Sequence, residues 1–178
     1  MIYLYYTVGI LVILTIIFLF IGFVKPSISY NCEIMVNKPI EECGYVAQDE
    51  ERMSEWLEGF TKIEHISGTP KTVGNVSNVY FITNGKEMVV KRTITAIKLF
   101  ESVESLNETD FMNMEYNVRM TAIGEKTKIS SNTTVKGNGI FSKSLMVFMS
   151  GTLKKQENTN LANLKNTIEL NTKKYLPE

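Results

Sequence analysis

His65, Tyr116, Asp110 and Arg92 are the side chains of this chain whose types could move a proton or hold an anion. General acid–base work needs such a group inside a cavity, within reach of a reacting atom. His65 is the single histidine, lies between Glu64 and Ile66 in an alternating segment, and is expected at a surface or rim. It forms no H-E-x-x-H pair, and the chain has no G-x-S-x-G elbow. Gly68 to Gly74 lacks the G-K-[ST] ending of a phosphate loop and reads as a connection. Cys32 and Cys43 have neither C-x-x-C nor zinc-ligand spacing and read as small core hydrophobes. The acidic run Asp49-Glu-Glu51 fits a solvated helix start. No metal, no cofactor and no catalytic residue is therefore assigned.

Arg92 shares strand parity with Met88, Val90, Ile94 and Ala96. Turned inward it would be a buried charge, costly without a partner such as a ligand carboxylate or phosphate. Turned outward, or beside a local glutamate, it would need none. The expected ligand-facing set is Met88, Val90, Arg92, Met112, Met114, Tyr116, Phe141, Leu145 and Met149, with Trp56 and Phe60 near a mouth. Methionine is flexible and polarisable and tolerates varied apolar partners. The same residues would also fit a filled core.

The elements that must position them follow from periodicity. Ile140 to Leu170 reads as one long helix, with Phe141, Leu145, Met149, Leu153, Leu161, Leu164 and Ile168 as its apolar stripe. Lys143, Lys154, Lys155, Glu157 and Lys165 would face water. Ahead of it, Ser29 to Val36 alternates as a strand, Asn37 is expected to cap a helix with Pro39 in its first turn, and Asp49 to cap a second short one through Trp56. Strands are then expected at 60–67, 76–82, 87–97, 100–106, 111–121 and 127–135, with Asn84-Gly85 as a hairpin turn. Hairpin links force an antiparallel sheet, and the terminal helix is the only long cover for its apolar face.

From Ile2 to Val24 no side chain is charged, long enough to cross a bilayer core. A signal peptide would want a basic start and a small-x-small cleavage site, which this segment lacks. An uncleaved anchor is expected, and the positive-inside rule applied to Lys25 and Lys38 places the domain in the cytoplasm. Lys+Arg 19 against Asp+Glu 19 gives no support for a nucleic-acid partner.

The runs Val36-Asn-Lys-Pro-Ile-Glu-Glu42, Trp56-Leu-Glu-Gly-Phe60 and Ile63-Glu-His-Ile-Ser-Gly68 resemble the START/Bet v 1-like (SRPBCC) superfamily, in its polyketide cyclase/dehydrase-like branch. The resemblance spans Ser29 to Leu170 and implies an α+β helix-grip fold. That fold is a curved antiparallel sheet of about seven strands around a long C-terminal helix. It also implies a hydrophobic ligand between sheet and helix. The expected layout is an anchor at 1–24, a linker at 25–28, a helix-grip domain at 29–171 and a tail at 172–178. The function implied is a membrane-anchored binding protein for a lipid or other hydrophobic small molecule. The alternative is a cyclase- or dehydrase-like enzyme acting on a hydrophobic or aromatic substrate.

Overall fold

A computed structural model describes residues 2–175. Helix α1 (Ile2–Val24) leads directly into β1 (Ser27–Val36), so the expected linker is shortened by the strand. There follow α2 (Ile40–Ala47), a single 3-10 turn (Glu50–Arg52) and α3 (Met53–Trp56). Six more strands come next: β2 (Phe60–Ser67), β3 (Val76–Thr83), β4 (Lys86–Lys98), β5 (Ser102–Glu108), β6 (Met112–Ile123) and β7 (Lys126–Gly137). Helix α4 (Ile140–Glu169) closes the fold. Of the expected tail, residues 172–175 have no regular structure and 176–178 lie outside the described residues.

The strands form one seven-stranded sheet in the order β1-β7-β6-β5-β4-β3-β2, antiparallel throughout. Hairpins link β2 through β7, while β1 reaches the sheet only by joining β7 at its far edge. Asn84 and Gly85 both take positive φ, 51° and 74°, which is the geometry a two-residue hairpin turn requires. Asp49 caps the 3-10 turn through the Glu51 amide, as expected. Asn37 does not cap α2. Its backbone and side-chain N–H groups instead donate to Glu169 Oε1 at 2.8 and 2.9 Å, tying the end of β1 to the end of α4.

Alternation on β1 buries Ile28, Cys32 and Val36, and alternation on β7 buries Thr127, Ile129, Ser131, Thr133 and Val135. Helix α4 runs close over these two strands and stands off from β2–β6. Two apolar clusters result. One joins Cys32, Val36, Cys43, Val46 and Ile129 to Leu161, Leu164 and Ile168 of α4. The other joins Ile28 and Val135 to Met146, with Met149 and Leu153 packed beside them. Cys32 and Cys43 are buried free thiols within the first cluster.

The apolar stripe of α4 therefore divides. Met146, Met149, Leu153, Leu161, Leu164 and Ile168 meet the sheet side, as far as Met149 and beyond in the expected phase. Phe141 is rotated off it: its ring meets Phe18 of α1 at 5.5 Å, and the residue is 59% exposed. Leu145, half-buried, lies one turn from Phe141 and just under one from Phe148, the other ring that Phe18 contacts. A segment apolar on nearly every side serves two partners, and periodicity along one face could not separate them.

Candidate ligand-binding site

Away from α4, the concave face of the sheet is made by the register of β2–β6. His65, Ser77, Arg92 and Asn107 stand opposite one another in a row, continued by Met114. The next row inward contains Ile94, Ser105 and Tyr116. Toward the end of the sheet nearest α1 the residues become apolar: Val79 faces Val90, and Phe60, Phe81 and Met88 form a further row. Phe60 meets Phe81 edge-on at 6.3 Å. The face is thus apolar at one end and polar in its middle.

Of the orientations its parity left open, Arg92 takes the inward one, with the Glu50 carboxylate near enough to act on it. Ala96 does not share that face, because a bulge between Ile94 and Ala96 turns it over. The Arg92 Nε is buried with no hydrogen-bond partner in the protein. Burial lowers its pKa, and the Glu50 carboxylate partly offsets that. Glu50 itself is engaged by His65, whose Nε2 lies 3.1 Å from Glu50 Oε2. His65 Nδ1 lies 3.0 Å from the Ser77 hydroxyl, which donates to Asn75 Oδ1 at 3.0 Å. The residue sits at the surface, as expected, with its imidazole held from both nitrogens.

Tyr116 spans the gap to α4 by donating to Glu157 Oε1 at 2.7 Å. Glu157, expected to face water, is therefore on the sheet side. Burial, reinforced by Glu157, raises the Tyr116 phenol well above its ordinary value, yet the residue keeps accessible surface. Tyr30, in the same row across β7, is pushed up to about 12 by burial and then by Glu157.

The expected residues separate as follows. Val90 is buried, Met112, Met114 and Tyr116 are half-buried on the concave face, and Met88 and Phe60 sit toward its apolar end. Met149 packs with Ile28, Val135 and Met146 rather than over β6 alone. Trp56 packs on the cluster around Leu161 and Ile168, its indole N–H buried without a partner, and so belongs to the core more than to a mouth. Phe141 turns to the α1 side, and Leu145 is half-buried. Asp110 is exposed in the β5–β6 connection. Glu157 carried a legible signal: it falls four residues from both Leu153 and Leu161 on the buried stripe. Glu50 and Ser77 carried none, since only tertiary placement brings the 3-10 turn over β2 and β3. Two open clefts of about 560 and 530 Å³ lie elsewhere, around Tyr45 and Tyr175 where the C-terminal segment crosses α2.

No family model matches this chain, and no curated protein matches it in sequence. Solved structures do match. Ara h 8.0201 has a TM-score of 0.68 at 16% identity, over 82% of this chain and 99% of its own. The Zhui aromatase/cyclase from Streptomyces sp. R1128 has a TM-score of 0.64 at 10% identity, over 80% and 94%. TTHA0849 from Thermus thermophilus has a TM-score of 0.62 at 16% identity, over 79% and 97%. The chain has the helix-grip fold shared by Bet v 1-like proteins and polyketide aromatase/cyclases. One N-terminal helix, Tyr3–Val24, is also long and apolar enough to cross a membrane.

Proposed function

We propose that this chain is a membrane-anchored binding protein for an amphiphile with an anionic head, such as a carboxylate or phosphate. The observation that carries it is Arg92: a buried guanidinium with an unpartnered Nε, in the middle of a face whose one end is apolar. A buried charge without a partner is costly, and a ligand anion would supply one. The apolar end, with Phe60, Phe81, Met88 and Val90, suits the tail. Helix α1 would hold the domain where such molecules reside. The fold neighbours support a small-molecule role, since one of them is an aromatase/cyclase. Native mass spectrometry of the full chain released from detergent tests the reading. An amphiphile adduct retained by wild type and lost in Arg92→Met is expected; equal retention in both overturns the assignment of Arg92.

A second reading, a cyclase- or dehydrase-like enzyme, is favoured by one observation. His65, held between Glu50 and Ser77, and Tyr116, held by Glu157, both face the concave side with their proton-bearing atoms fixed. Such fixing suits acid–base catalysis. Turnover of a poly-β-keto substrate that is abolished by His65→Gln would select it; bound ligand recovered chemically unchanged would favour binding alone.

A further inference from the structure

Helix α1 does not project freely from the domain. Phe18 stacks on Phe148 of α4, with centroids 5.9 Å apart and planes 13° from parallel, and tilts onto Phe141 at 5.5 Å. One turn on, Gly22 lies so close to α4 that a Cβ there would run into Ser144 and the Ile140 carbonyl. The first turns of α4 therefore lie beside Phe18–Gly22, which are inside the apolar span Tyr3–Val24. At 1.5 Å per residue Phe18 sits about 9 Å before the end of that span. An α1 that crosses a bilayer carries this part of α4 to the same depth. Its side chains suit that place: Phe141 and Phe148 are 59% and 62% exposed despite their contact with α1. Lys25, just past α1, Lys136, paired with Ser27, and Lys143 in the first turn of α4 stand around them, with Asp110 the one carboxylate of the neighbouring β5–β6 connection. Lysines flanking an apolar surface match the headgroup level.

We infer that the first turns of α4 enter the bilayer beside α1, so that the domain is seated on the membrane by two helices and not hung from one. This rests on the reading of α1 as a membrane span. The β5–β6 connection lies against the same stretch: Met112 pairs with Gly137, and the Asn138 amide donates to the Phe111 carbonyl, just ahead of α4.

The test places an environment-sensitive fluorophore on the full chain in phosphatidylcholine proteoliposomes, at Val12→Cys, Phe148→Cys or Ile66→Cys. All three positions are exposed in the protein, and the native thiols are buried and raised by that burial, so they do not compete for label. Quenching by aqueous iodide is compared with quenching by a nitroxide on the upper acyl chain. The expected result is nitroxide quenching at 12 and 148 with iodide quenching reduced severalfold relative to 66. Nitroxide quenching at 12 with full iodide quenching at 148 overturns the inference while leaving the anchor. Shielding of 148 from both quenchers also overturns it, and indicates a protein neighbour such as a second copy. Full iodide quenching at 12 removes the membrane reading of α1 itself.

Discussion

The β1–β7 side of the concave face and the β3–β6 side are built from one sheet but solved differently. Under the C-terminal half of α4, Val36, Ile129, Leu164 and Ile168 are almost wholly buried in contact with one another. Across the sheet Met112, Met114 and Tyr116 are only half-buried, and beside them lie Arg92, Asn107 and Ser105. A helix gripped off-centre lets the molecule concentrate its packing on one flank. The other flank carries a charged side chain, Arg92, where β7 buries only neutral hydroxyls and aliphatic groups. Packing is thus concentrated on one flank, and the proposed binding role falls on the other.

Mutations on the two flanks should differ accordingly. Ile168→Ala should cost about 2–5 kcal/mol in chemical denaturation, the range for truncating a packed aliphatic side chain. Met114→Ala should cost less, because the residue is only half-buried at the margin of the Ile28–Val135–Met146 cluster; equal losses would mean that the β3–β6 flank is packed as tightly. Arg92→Met should move stability and binding in opposite directions. Removing an unpartnered buried charge should raise Tm by about 2–4 °C for each kcal/mol gained. Loss of a charge-assisted contact of about 1.5–3 kcal/mol should weaken amphiphile binding by about tenfold or more. A fall in Tm would show that Arg92 has a structural partner.

Tyr30 supplies a pH test of the packed flank. Its folded pKa of about 12 exceeds the ordinary 10.0, so the native state holds the proton more tightly than the unfolded chain. That contribution is fully present below pH 10 and is lost as pH rises toward 12. Tyr30→Phe should flatten the alkaline fall in stability between those values, measured by denaturant titration at each pH. The smallest effect belongs to neither flank: Gly85→Ala, at φ 74° in the hairpin turn, should cost about 1 kcal/mol and leave binding unchanged.

The fold was legible because its signals are local and redundant. Alternation located the strands of both flanks, Asn84-Gly85 marked a turn, and the absence of charge in 2–24 marked α1. Parity alone placed Met112, Met114, Tyr116 and Arg92 on one face of the sheet. It failed where two surfaces competed for one stretch of helix, which turned Phe141 to the α1 side. It failed also at Ala96, where one extra residue in a strand reverses every later side chain. His65 illustrates a third limit. Its surface position was legible from the strand, but its pairing with Glu50 of the 3-10 turn was not, because that placement leaves no local trace.

The pairing of β1 with β7 has a consequence for the order in which the molecule forms. Ser29 and Thr134, 105 positions apart in the chain, share a hydrogen bond of 2.9 Å. Strands β2 through β7 can zip through successive hairpins as they leave the ribosome, each closure bridging a short loop. β1 emerges before all of them, has no strand partner but β7, and is clasped at its end by Glu169 at the close of α4. The packed flank therefore assembles last and at long range, the kind of closure that slows folding. Until it does, a strand tethered beside α1 waits with both edges unpaired, and a chain cut short before β7 would leave it so permanently.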